Sequence, residues 1–386
     1  MPDLRSVPIR PAVSGGFESI PTVELHRHFE AGLRPETIAR LAARHGLTEV
    51  RTRSGELVQG VDPQDADAVR RYYHAVAGRF GSPDGFRIFI DSFGLPLSVL
   101  QTLDDLEEAA FEQIVDGAES GSLHTELRGS PFTYRETVDA SIQEIAAALV
   151  SGVQRAWRER RASGTFLMAF SRQKGLAEPN APEEFRQAGI LAGLVARMHR
   201  PDRPVGLDIA GFPEISYPPR LFEAALRPAR EAGVPLTVHA GEQGQPPDFA
   251  TAPPDLVIEA VESLGARRIG HGTSLAASRA ARDWIRERGV AIECCPVSNE
   301  RMGFVPVLQH PLPLFLQEGL LVSLATDDPL MFGPLHVTET FARIARPLGL
   351  SGESLLQLTR NGLESAFISE ERRALLREQF EKIVGH

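Results

Sequence analysis

Short apolar runs recur along this chain, and amphipathic segments with helical spacing separate them. The runs are VELH (23–26), LHTELR (123–128), TFLMAF (165–170), VGLDIA (205–210), LTVHA (236–240), RIGH (268–271), VAIECC (290–295) and LVSLAT (321–326). Helical spacing fills 137–160, 183–199, 219–232, 253–264, 275–288 and 311–319. Parallel strands are buried on both faces, so they read as near-continuous apolar runs, and each needs a long crossover before the next. Eight strand–helix repeats predict an α/β fold of the (β/α)8 TIM-barrel type. A doubly wound open sheet is the competing arrangement, and the barrel is preferred.

The regularity breaks once. Segment 27–122 separates the first two runs and carries helical patterns at 35–45 and 100–120 and the stretch DGFRIFIDSFG at 84–94. An insertion after a barrel's first strand sits over the C-terminal face, where active sites lie. The sequence therefore predicts a helical lid at about 31–122. Extra helices are expected at the end of the chain, at 336–347, 351–366 and 370–384. The whole of 1–386 is read as one domain.

Charge and cysteine usage remove several function classes. The net charge is −10, from 41 basic and 51 acidic residues, which argues against nucleic acid as a partner. It leaves room for a nucleoside, which carries no phosphate. All basic residues except Lys174 and Lys382 are Arg, which we read as codon bias rather than function. Cys294 and Cys295 are the only cysteines and are adjacent, so neither a disulfide scaffold nor a cysteine zinc site is expected. No apolar stretch is long enough to span a membrane, and the first residues lack the apolar core of a signal peptide. A cytoplasmic protein without a membrane partner is expected. The sequence gives no oligomeric state.

The unusual polar residues fall at the ends of the apolar runs. His26 and His28 end the first, His239 the fifth and His271 the sixth, while Asp327 and Asp328 follow the eighth. In a barrel these ends meet at one mouth. H-x-H on a strand puts both imidazoles on one face. With His239 and a carboxylate from the eighth strand, the set is three nitrogens and one oxygen. That suits one Zn²⁺ with a water completing the shell, and Fe²⁺, Mn²⁺ or Co²⁺ also fit. An isolated H-x-H would more simply be a hydrogen-bonded core pair; the combination favours metal. Glu242, His271 and Asp328 are the titratable groups beside it. A metal-bound water needs a base for its proton and an acid for the atom that gains electrons. The inventory fits hydrolytic attack on carbon. H-E-x-x-H and H-x-E with P-C-x-x-C are absent, as is a Lys at the end of the fourth strand, so one metal is favoured over two.

The segments PTVELHRHFEAGLRPETI (21–38), TELRGSP (125–131), GLDIAG (206–211), TVHAGE (237–242), ARRIGHG (266–272), ECCPVSN (293–299) and ATDDPLMFG (325–333) together resemble the adenosine deaminase family of the amidohydrolase superfamily. The resemblance implies one zinc per subunit on His26, His28, His239 and Asp327. It implies that zinc-bound hydroxide attacks purine C6, Glu242 protonates N1, His271 orients and deprotonates the water, and Asp328 meets N7 and helps hold the water. The Gly211 N–H would meet N3. The implied reaction converts adenosine or 2′-deoxyadenosine to the inosine product plus ammonia.

Two departures lie where the sugar would sit. Members acting on adenosine usually carry Asp-Gly after H-x-H, where the acid binds the 5′-hydroxyl; this chain has Glu30 and Ala31. After Gly211 it reads FPEISYPP, with Glu214 later than the family's acid. Adenosine is the first expectation. A 5′-modified adenosine such as 6-aminodeoxyfutalosine, and adenine itself, are the alternatives. Phe86, Phe89 and Phe93 are expected either to wall the purine or to fill the lid's core. Arg128 and Arg172 are placed near the mouth, Arg128 to orient acidic side chains. A purine-binding protein without activity, and a hydrolase of another amide-like bond, are the rival classes; the presence of both Glu242 and His271 argues against the first.

Overall fold

The structure, a computed structural model, describes residues 20–172, 181–203, 205–211, 218–242 and 252–385. All eight expected runs are strands: β1 (Thr22–His28), β2 (Ser122–Gly129), β3 (Gly164–Ser171), β4 (Gly206–Ala210), β5 (Leu236–Ala240), β6 (Arg268–His271), β7 (Ala291–Cys294) and β8 (Leu321–Leu324). They form one parallel sheet in sequence order. The sheet comes round on itself just beyond β8. There the His28 amide donates to the Asp327 carbonyl at 2.9 Å, and the Asp327 amide donates to the His26 carbonyl at 3.0 Å. The fold is a (β/α)8 barrel with helices outside.

Helix boundaries follow local chemistry. The helix expected from 137 begins at Ile142, because Ser141 and Glu144 form a reciprocal capping box. Its buried face is Ile145, Leu149, Val153 and Ala156, at helical spacing. The helix Pro254–Leu264 starts with Pro at its first position and stops at Gly265, which takes φ +72°.

The segment between β1 and β2 carries helices Pro35–Arg44, Ala66–Ala77, Gly85–Ser92, Gly94–Ser98 and Leu103–Glu119, and a small ribbon of Val50–Arg51 with Leu57–Val58. The helix Ala66–Ala77 was not expected from sequence. Its buried stripe is only Val69, Tyr73 and Ala77 among polar neighbours. The aromatic side of this segment packs on the residues that follow β8: Phe89 stacks on Phe332 at 5.4 Å and Phe80 meets it edge-on at 5.6 Å. It therefore lies over the mouth where the strands end.

Helix Gly352–Ser365 packs outside β8 and β1, and its C-terminal end and helix Glu370–Val384 lie at the other end of the barrel. Buried Glu126 of β2 accepts from the Phe367 amide at 2.5 Å, and Arg268 of β6 donates to the Ser365 carbonyl at 2.9 Å. Among the described residues, no helix is long and apolar enough to cross a membrane.

Candidate active site

The strand ends bring the sequence-predicted ligands together. His28 Nε2 lies 3.3 Å from His239 Nε2 and 3.3 Å from Asp327 Oδ1, and His26 Nε2 lies 3.1 Å from the same oxygen. The four candidate ligand atoms all lie within 4.8 Å of one another. Cys295 forms a second, overlapping group with His26, His271 and Asp327. The Cys295 thiol is buried, and burial, with the nearby carboxylates, pushes it well above its ordinary range. It is a poor thiolate donor beside three imidazoles.

Hydrogen bonds behind the ring decide which nitrogens face the centre. His26 Nδ1 is 2.8 Å from Glu293 Oε2, and His239 Nδ1 is 3.1 Å from Asp208 Oδ1 and from the Ile209 carbonyl. Facing only acceptors, both Nδ1 atoms carry the proton, so both Nε2 atoms turn lone pairs inward. Burial pushes His239 down to about 4, so its ring is neutral at physiological pH. Asp327 binds Ser298 Oγ through Oδ2 at 2.6 Å and keeps Oδ1 for the centre. Acceptors from His26, His239 and Asp327 thus converge, and among the described residues buried His26 Nε2 has no hydrogen-bond partner. That is the donor set a divalent cation satisfies, and it leaves room for a water.

Backbone geometry serves the same end. His271 and Asp327 take φ +66° and +65°, a region that non-glycine residues rarely occupy. Gly270 must lack a side chain, since a Cβ there would sit 2.9 Å from the His26 ring and 3.4 Å from the His239 Cα.

Beside the ligands lies the acid–base set. Glu242 Oε1 is 3.6 Å from His271 Nε2. The tautomer of His271 is fixed from outside. The Leu312 amide donates to His310 Nδ1 at 3.2 Å, and His310 Nε2 reaches Asn299 Oδ1 at 3.3 Å. The Asn299 amide nitrogen then reaches His271 Nδ1 at 3.3 Å. Followed in order, neutral His310 donates from Nε2, Asn299 donates from Nδ2, and His271 keeps its proton on Nε2, facing the site. Burial holds His271 well below its ordinary value, so the ring is neutral. Burial and the neighbouring Asp327 push Asp328 well above the usual carboxylate range, and among the described residues its Oδ1 has no hydrogen-bond partner.

These groups open into a cavity of about 170 Å³. Glu30, Gly211, Glu242, Asp327 and Asp328 all line it. Phe86, Phe89, Ile90 and Phe93 form its outer wall with Phe332. Phe89 is also 8% exposed and packed in the core, with Phe86 and Phe93 packed against it, as the lid-core expectation had it. Glu214 and Lys174 lie outside the described residues.

Arg128 orients acidic side chains as expected, from a fully buried position: it donates to Glu293 Oε2 at 2.8 Å and lies 3.4 Å from Asp208 Oδ2, so it joins the two carboxylates that hold His26 and His239. Arg172 holds the His239 carbonyl at 2.6 Å. Sequence reasoning gave no role to Glu293, Ser298 or Asn299. A charged residue inside the apolar run VAIECC was the one available signal.

Comparison with known proteins is consistent across sequence and structure. A family model described as "Adenosine deaminase" matches residues 21–383. An adenosine deaminase of Escherichia coli is 30% identical over 362 residues, covering 94% of this chain and 98% of that protein. A structure described as adenine deaminase from Arthrobacter aurescens superposes with a TM-score of 0.77 at 26% identity, covering 95% of this chain and all of the other. An N6-mAMP deaminase from Arabidopsis shares the fold, with a TM-score of 0.70 at 21% identity and coverage of 95% and 99%.

Proposed function

The chain belongs to the adenosine deaminase family, as a hydrolase acting on the C6 amine of a purine, and from that premise we propose that its substrates are adenosine and 2′-deoxyadenosine. The products are inosine or 2′-deoxyinosine and ammonia. The observation that carries this reading is the convergence of His26, His28, His239 and Asp327 beside Glu242, His271 and Asp328 in one cavity.

The four convergent residues would hold one divalent metal, with Zn²⁺ preferred by the three-imidazole, one-carboxylate set. When bound, such an ion lowers the pKa of its water and supplies a nucleophile at neutral pH. The chain's own residues do the rest. His271 donates from Nε2 to the oxygen that adds to C6 and so fixes its position. The Asp328 carboxyl relays a proton from that oxygen to the departing amine, giving its own as it accepts the other. Glu242 protonates N1, so negative charge does not build on the ring, and the water's second proton replaces the one Glu242 gives up. The Gly211 amide, at the cavity edge, meets N3. The C6–O bond forms, the C6–N bond breaks, and one water has been consumed. The wall of Phe86, Phe89 and Phe93, acting as a lid, covers the ring and excludes bulk water.

Adenine is the second reading. Glu30 in place of the family's Asp favours it, as does the similarity to the Arthrobacter protein. The test is kcat/KM for ammonia release by the zinc-loaded protein, with adenosine and adenine compared. A value within the common range of about 10⁴–10⁸ M⁻¹s⁻¹ identifies the substrate. Glu242→Gln should keep metal and bind adenosine, yet lose about 10²–10⁴-fold or more in kcat. Near-normal turnover in that variant would remove Glu242 from the mechanism.

A further inference from the structure

We propose that Tyr134 is a positioning residue that aims Glu30 at the sugar of the substrate and thereby tunes the site to a neutral nucleoside. The inference rests on the deamination reading above and names a determinant outside the acid–base set.

Glu30 begins the single turn Glu30–Gly32 that follows β1 and lines the cavity. Behind it, Tyr134 is fully buried, and its hydroxyl donates to Glu30 Oε2 at 2.6 Å. The ring is packed edge-on against Phe29 at 5.4 Å, so the hydroxyl has one direction to point. A glycine makes the contact possible. A Cβ at Gly129, the last residue of β2, would lie 1.9 Å from the Tyr134 oxygen and 2.9 Å from Cζ. The carboxylate must also be long enough. An aspartate at position 30 would be one carbon–carbon bond, about 1.5 Å, shorter. Glu30, Gly129 and Tyr134 are therefore one device: a long acid, an open path and a buried donor.

The device commits one carboxylate oxygen to Tyr134 and leaves the other for a ligand on the cavity side. Burial, with the Glu30 charge beside it, holds the phenol well above its ordinary range, so it remains a donor at working pH. An ionised carboxylate only accepts hydrogen bonds. The ligand group it meets must be an O–H or N–H, and a sugar hydroxyl fits. A phosphate does not. Glu30, Glu242, Asp327 and Asp328 line the cavity, and no Lys or Arg does among the described residues. A nucleoside monophosphate would bring a second negative charge to Glu30 with no described Lys or Arg in the cavity to neutralise it.

The experiment compares zinc-loaded wild type with Tyr134→Phe, using adenosine, adenine and AMP. Freed from its donor, Glu30 should lose its fixed aim. We expect the KM for adenosine to rise about tenfold, the worth of one hydrogen bond to a charged group. The kcat for adenosine should stay within about threefold, and both constants for adenine, which has no sugar, should hold. Calorimetric Kd values for adenosine in Glu242→Gln, with and without Tyr134→Phe, should show the same tenfold gap free of turnover. If Tyr134→Phe does not fold, Glu30→Gln is the second variant. It should weaken adenosine binding and narrow the preference for adenosine over AMP. A fall in kcat shared by adenosine and adenine means a structural role and overturns the proposal. So does an unchanged adenosine KM, or wild-type turnover of AMP that equals that of adenosine. If the wild type releases no ammonia from any of the three, the deamination reading itself fails.

Discussion

Glu293 has no solvent exposure, and four groups reach its two oxygens. His26 Nδ1 and Arg128 Nη2 lie 2.8 Å from Oε2, while Arg268 Nε at 2.6 Å and Thr237 Oγ1 at 3.0 Å donate to Oε1. The charges of Arg128 and Arg268 hold its carboxyl well below the usual range against the cost of burial. A buried carboxylate so paired fixes the ring of a metal ligand, and its loss strands two buried guanidinium groups. Glu293→Gln should therefore weaken zinc binding about 10–100-fold and destabilise the fold by about 3–5 kcal/mol. Chelator competition reads the first and urea unfolding the second; wild-type affinity in the variant would show that His26 needs no charged support. At this scale the sequence exposed the residues that converge at the mouth because each stands at the end of an apolar run. It hid Glu293 and Tyr134. Their importance lies in which distant groups meet them inside the barrel, and a linear pattern does not carry that.

The element after β7 shows how a loop can set the state of a distant side chain. Helix Pro296–Arg301 supplies Ser298 to Asp327 and Asn299 to His271, and His310 pins Asn299 from the far end of the same connection. His310 is buried, and desolvation alone pushes it down to about 3 from 6.5. Between those values the unfolded chain binds a proton that the folded chain refuses. Folding stability must then fall as pH drops below 6.5, by about 1.4 kcal/mol per unit, until the folded value is reached. His310→Gln removes that proton uptake. The gap in unfolding free energy between wild type and variant should shrink by about 2 kcal/mol between pH 6.5 and 5. A constant gap would mean that His310 is protonated in the fold. The strands were legible because parallel burial writes itself as apolar runs. The helix Ala66–Ala77 was not, because its core contact is a stripe of three residues. Loop-borne chemistry such as Asn299 has no periodic signature at all.

Across the whole molecule, the alternation of strand and helix disclosed the barrel, and the barrel explains why residues at the two ends of the chain share a site. The nature of the substrate's far end was less legible. It depends on how the segment between β1 and β2 folds back over the mouth, and on Glu30 meeting Tyr134 across two connections. The same topology would make a bound metal part of the fold's closure. The backbone bonds that join the end of β8 to β1 run between His26, His28 and Asp327, three of the four proposed ligand residues. The unfolded chain cannot assemble these with His239, so an ion that binds them binds only the folded state. At a free zinc concentration 100 times its Kd, that linkage is worth about 2.7 kcal/mol. An unfolding entropy of about 2.1 cal/mol/K per residue makes this about 3 °C of Tm for a chain of this length. Chelation should lower Tm by that amount or more, and excess zinc should restore it. Amide exchange on metal removal should accelerate first at residues 26–28 and 325–328, where ligation and barrel closure coincide. A Tm indifferent to chelator, or a loosening spread evenly over all eight strands, would separate the metal from the seam and leave the barrel closed by its backbone alone.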